Sequence, residues 1–135
     1  MKKFIISFML VLTSIFTFAQ SSDIIVLTSE YQKDVTFDSN HHAHFGDQTK
    51  FWPIKVIIDH STKKLTIITN KITLRYAIYD SYNSTTKDGA PCVGYYIVDQ
   101  DGDTGKFTFF LEKRGIWAVL DLGSWGIYYP EMTIH

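Results

Sequence analysis

Apolar and polar residues alternate with period two through much of this chain. From Ile54 to Asp59, the side chains Ile54, Val56 and Ile58 fall on one face and Lys55 and Asp59 on the other. After the polar stretch His60 to Lys63, the residues Leu65, Ile67 and Thr69 supply the matching face of a returning strand. That pattern predicts a β-hairpin. Pro53 has no N–H, so it belongs at the start of a strand or on an edge. Ile72 to Tyr79 alternates in the same way, with Ile72, Leu74, Tyr76 and Ile78 on one side. A helix would need apolar residues three and four apart, which this run does not supply.

The densest signal lies between Gly94 and Leu122. Cys92 to Val98, Lys106 to Glu112, Ile116 to Leu122 and Trp125 to Tyr129 read as four strands, with Pro130 ending the last. Asp-Gly and Arg-Gly punctuate them, as in a meander. Phe107, Phe109 and Leu111 share one face, with Phe110 on the other; Tyr95 and Ile97 oppose Tyr96 and Val98. Apolar residues on both faces imply a sheet covered on one side that carries an aromatic stripe on the other.

Earlier in the chain the pattern is weaker. Ile24 to Leu27 predicts a first strand. Thr28 to Asp34 suits either one helical turn, from the capping-box spacing of Ser29 and Gln32, or more strand, with Asp34 to Phe37 favouring strand. Two stretches, Asp38 to Lys50 and Asp80 to Pro91, lack any period and predict long loops. The expected fold is all-β: a small antiparallel barrel or two-layer sandwich of about seven or eight strands.

The first nineteen residues are a separate object. Lys2 and Lys3 precede the apolar run Phe4 to Phe18, and Thr17-Phe18-Ala19 offers small residues for cleavage. This predicts a secretory signal peptide over residues 1–19 and one domain over 20–135. The apolar run is short of the ~20 residues that span a bilayer, so no membrane span is expected. No cysteine follows the junction to carry a lipid. The expected location is the bacterial periplasm, the medium or the cell surface. Cleavage removes two lysines and no acid, leaving 11 basic and 14 acidic residues, a net charge of −3. That balance argues against nucleic acid as a partner. Cys92 is the one cysteine, so no internal disulfide can form and packing must hold the fold. Its expected role is that of a small buried hydrophobe.

Three constellations could carry chemistry. Asp99, Asp101 and Asp103 alternate as in calcium loops, but Thr104 stands where an EF-hand has glycine and Phe110 where it has an acid. A plain hairpin turn is the simpler reading. His41, His42 and His44 could serve Zn or Cu if another ligand, such as Asp38, Asp47, His60 or His135, joined them. A solvated loop is the simpler reading there. Trp52, Tyr96, Trp117, Trp125 and Tyr128 could form a stacking platform or line a cavity; otherwise they are ordinary aromatics of a β protein. No nucleophile elbow, zinc-protease, P-loop or dinucleotide motif is present.

The expectation is an exported, non-catalytic binding domain whose partner is a protein, a glycan or a small apolar molecule. Inhibitor and immunity-type proteins share that size and compartment. A small Zn- or Cu-dependent enzyme built on the histidine loop and a structural surface component are the rivals. Nothing in the pattern specifies an oligomeric state. Leu74→Asp is expected to unfold the domain, because it puts a charge on the core face of a strand. Wild-type melting of that variant would contradict the face assignment.

Overall fold

The computed structural model describes residues 24–135, so the expected leader lies outside the described residues. The chain forms nine strands and, among the described residues, no helix: β1 Ile24–Phe37, β2 Ala43–Phe45, β3 Lys50–Asp59, β4 Lys64–Thr69, β5 Thr73–Thr85, β6 Pro91–Val98, β7 Thr104–Glu112, β8 Gly115–Asp121 and β9 Trp125–Ile134. Every pairing is antiparallel. The sheet runs β2-β1-β3-β4-β5-β6-β7-β8-β9, and β1 also pairs with β9. Eight strands therefore close into an up-and-down barrel, with β2 as an extra strand beside the far end of β1.

Period two decides what enters the barrel. The expected hairpin has the expected register: Ile54 faces Thr69, Val56 faces Ile67, and Ile58 faces Leu65. Phe107, Phe109 and Leu111 point inward beside Val93, Tyr95 and Ile97, and all belong to one apolar cluster. Leu27, Val56, Ile58, Leu65, Ile97, Phe107, Phe109, Ala118 and Leu120 are each 0% exposed. A void large enough for water would leave part of these side chains accessible. The lumen beside them is thus filled, which is one of the two options open to an eight-stranded barrel. At one end Trp52 packs against the cluster, with the Lys71 ammonium 5.3 Å from the centre of its ring. At the other, the Tyr95 hydroxyl and His60 Nε2 share a hydrogen bond of 3.0 Å. Burial pushes the Tyr95 phenol well above its ordinary value.

The outer wall is uneven. Across β3 to β5 it presents Lys55, Thr66 and Arg75. Across β5 to β9 it is aromatic. The register aligns Tyr82, Gly94, Thr108, Val119 and Tyr128 in one row, and Ser84, Cys92, Phe110 and Trp117 in the next. Gly94 gives Tyr82 room to lie across β6 and hydrogen-bond Thr108 at 3.1 Å. Cys92 is buried on this outer side, and burial raises its thiol pKa.

Several expectations need correction. Thr28 to Asp34 makes no helical turn; β1 is one long strand with an irregularity between Ser29 and Tyr31. Ser29 is buried there and its hydroxyl donates to the Tyr31 carbonyl. The long loop after Phe37 contains β2, and β5 runs on to Thr85, so the second loop shrinks to residues 86–90. Ile72 lies in a turn and is exposed. Pro130 does not end the last strand, which continues to Ile134.

Gly94→Ala places a methyl carbon 2.1 Å from the Tyr82 ring. The ring must move and give up Thr108, at an expected cost of about 1–3 kcal/mol. In a Tyr82→Ala background the same change should cost much less. Equal losses of melting temperature in both backgrounds would contradict this packing.

Candidate functional site

A groove in the outer wall starts from Pro130. Proline cannot donate to a sheet ladder, so a strand that contains one must bulge or lie at an edge. Here β8 and β9 pair Ala118 with Tyr129 and then Ile116 with Met132, which leaves Pro130 and Glu131 together opposite Trp117. The β1–β9 ladder also lapses between Lys33–Tyr128 and Thr28–Thr133. The doubled segment stands away from its neighbours and opens a groove of about 530 Å³ in the outer wall.

Trp117 and Tyr128 form the aromatic part of this groove, in edge-to-face contact at 5.7 Å. Phe110 stacks on Trp117 at 3.8 Å, and Phe45 of β2 meets Tyr128 at 4.9 Å. These supports hold the two rings in fixed orientations. The polar rim consists of Glu112, Arg114, Glu131 and Thr133. Arg114 Nε lies 3.5 Å from Glu112 Oε2, yet its side chain is 89% exposed and free to reach a ligand.

The five aromatic candidates therefore divide. Trp117 and Tyr128 meet in the groove. Trp52 instead packs against the barrel core. Tyr96 lies between Tyr79, at 6.1 Å, and Tyr82, at 5.6 Å, on the wall of β5 and β6. Trp125 is exposed opposite Thr36, on the β1–β9 seam. Pro130 was read in the sequence only as the end of the last strand, and the rim charges were not named there as site residues. Pro130 within an otherwise β-patterned run was the available signal.

The structure does not bring the three loop histidines together. Asp38 organises the turn: its carboxylate accepts the N–H groups of Asn40 and His42, and the imidazole of His44 donates to it at 3.1 Å. His42 Nδ1 is 3.9 Å from the same carboxylate. His41 takes a left-handed conformation, stacks on Phe37 and donates to Asp121 at 2.6 Å. With the bond from Phe37 N–H to the Ser124 carbonyl, these contacts clip the β1–β2 turn to the β8–β9 turn. The imidazoles are used as a strap. Among the described residues, the one group of three or more candidate metal ligands with atoms within 4.8 Å of one another is Asp99, Asp101 and Asp103.

That aspartate group is a hairpin turn. Asp99 Oδ1 accepts the N–H groups of Asp101 and Asp103, both at 2.9 Å. Gly102 takes the positive φ that the turn requires and donates to the Asp99 carbonyl. Asp99 Oδ1 thus braces the backbone of the turn.

No family model, curated protein or solved structure matches this chain. The groove must be read from its own chemistry.

Two measurements test this assignment of charges. The His42 N–H, the His44 imidazole and the Asn40 N–H hold the Asp38 carboxyl below its ordinary value. A depressed carboxyl contributes stability above its unfolded pKa and loses it as pH falls through the folded one. Asp38→Ala should therefore melt below wild type at neutral pH, with the gap closing below about pH 4. A gap that persists in acid would contradict the strap. For the turn, melting in millimolar calcium and in EDTA should coincide. A calcium-dependent rise that Asp101→Asn abolishes would show a cation site instead.

Proposed function

We propose that this protein is an exported, non-catalytic binding module that recognises another protein through the groove beside Pro130. The supporting observation is the filled lumen: with the barrel interior occupied by its own side chains, a ligand must use the outer wall. On that wall the groove combines Trp117, Tyr128 and Arg114. Trp, Tyr and Arg are the residue types that dominate binding energy at protein interfaces. Phe110 braces one face of Trp117 and holds the ring rigid for a partner at the groove.

The export leader read from residues 1–19 would place this binding in the periplasm or outside the cell. The barrel's apolar interior suits work in water, because membrane barrels have a polar lumen and an apolar outside. Among the described residues no helix is long and apolar enough to cross a membrane. An inhibitor or immunity-type role suits a small rigid surface of this kind.

The test is site-specific photo-crosslinking in cells that export the protein. A crosslinker at Glu131 should give one adduct of defined mass, and one at Arg75, on β5 across the barrel, should give none. Arg114→Glu, at a side chain 89% exposed, should cut the Glu131 adduct several-fold with little change in melting. Equal labelling from Arg75, or an adduct insensitive to Arg114→Glu, would sink the reading. So would oligosaccharides that shift Trp117 fluorescence saturably.

A further inference from the structure

A closed barrel normally leaves no free edge, since each strand is paired on both sides. Here the strands are unequal. β4 pairs with β5 only as far as Lys64, opposite Ala77. The Ile78 N–H still reaches the Lys63 carbonyl at 2.8 Å. Beyond that point β5 is paired with β6 alone, down to Thr85 opposite Pro91. Among the described residues no strand lies on the other edge of residues 79–85. Tyr79, Asp80, Ser81, Asn83, Ser84 and Thr85 are all exposed. β5 bulges at Tyr79, and the Ser81 N–H donates to the Asp80 carboxylate; from there to Thr85 the edge carries neither a charge nor a proline to keep another strand away.

The two ends of this edge carry opposite, unspent charges. At its start, Asp80 and Lys63 line a hollow of about 250 Å³ between the β3–β4 turn and β5, together with His60 and Ser81. At its finish, a tight turn presents Lys87 and Asp88. The Gly89 N–H closes that turn onto the Thr86 carbonyl, and the Thr86 N–H donates to Ala90. Among the described residues none of Lys63, Asp80, Lys87 and Asp88 is in an ion pair.

We infer that two copies of this chain join edge to edge through β5, making one antiparallel sheet continuous across both barrels. Antiparallel pairing of β5 with itself puts a two-fold axis near Asn83, so the end of each strand lies beside the start of the other. Lys87 of each copy then meets Asp80 of its partner, and Asp88 meets Lys63. The 86–90 turn enters the hollow on the other barrel. The charges thus complement themselves under the symmetry that an isologous dimer requires. Main-chain hydrogen bonds along residues 82–85, beyond the bulge, supply the remaining contacts. The groove beside Pro130 is not part of this edge, so pairing and groove binding are separable. A dimer would present two grooves.

The test is the mass of the exported protein by sedimentation equilibrium at micromolar concentration. The wild type should be a dimer that loosens as salt rises. Lys87→Asp sets like charges together and should weaken dimerisation at least about tenfold. Adding Asp80→Lys to that variant should restore it, because the swap recreates both pairs with the signs reversed. Both positions are exposed, so all three forms should show the same β-sheet circular dichroism when folded. A monomeric wild type, a dimer indifferent to Lys87→Asp, or a loss that the double swap fails to repair would each overturn the proposal.

Discussion

Closure is the constraint on which the rest of the structure depends. β1 pairs with β3 along its first part, and β9 returns to pair with β1 at two places, Leu27–Thr28 and Lys33–Thr36. That seam converts a meander of hairpins into a barrel. Once closed, every inward side chain faces the opposite wall across a narrow lumen, and the large residues Tyr95, Tyr129, Phe107 and Phe109 fill it. Without a disulfide, this packing and the ladder are what oppose chain entropy. Truncating a lumen residue such as Phe109 to alanine would open a cavity that rigid walls cannot collapse, which typically costs about 3–5 kcal/mol.

A filled lumen leaves the outer wall as the surface open to a ligand. The outer wall from β5 to β9 is unusually aromatic, and its rings are held by one another: Phe110 on Trp117, Trp117 against Tyr128, Tyr128 against Phe45. Half-buried rings that already pack on neighbours lose little freedom on binding, so less free energy is spent ordering them. The opening that exposes them comes from one residue type: Pro130 forces the bulge, and the bulge parts β8 from its neighbour. The irregularity that weakens the ladder is thus the feature that makes a groove in an otherwise regular wall.

Much of the fold was legible in the sequence, because period two reports directly on which face is buried. The Ile54–Asp59 hairpin, the inward set Phe107, Phe109 and Leu111, and the outward Phe110 and Tyr96 follow from alternation alone. Barrel and sandwich were not separable, since closure depends on the β1–β9 pairing, and alternation carries no information on distant partners. β1 was obscured where its irregularity at Ser29 breaks the period. The Thr73–Thr85 strand was cut short because Asp80, Ser81, Asn83 and Ser84 have turn chemistry, and neighbouring β6 overrides it. The candidate site was legible only in part. Trp117 and Tyr128 were named as rings, but their meeting depends on register, and the rim of Glu112, Arg114 and Glu131 comes from three segments that only the fold brings together. The histidines were weighed as metal ligands against a solvated loop; the contacts of His44 with Asp38 and of His41 with Asp121 depend on the fold and could not be read from spacing.

The central claim is that the barrel interior is already full. Titration of the processed protein with a fluorescent fatty acid tests it most directly. The account predicts no saturable binding and no protection of the probe from water. One-to-one uptake with a blue-shifted, quench-resistant signal would show a hollow lumen and contradict it.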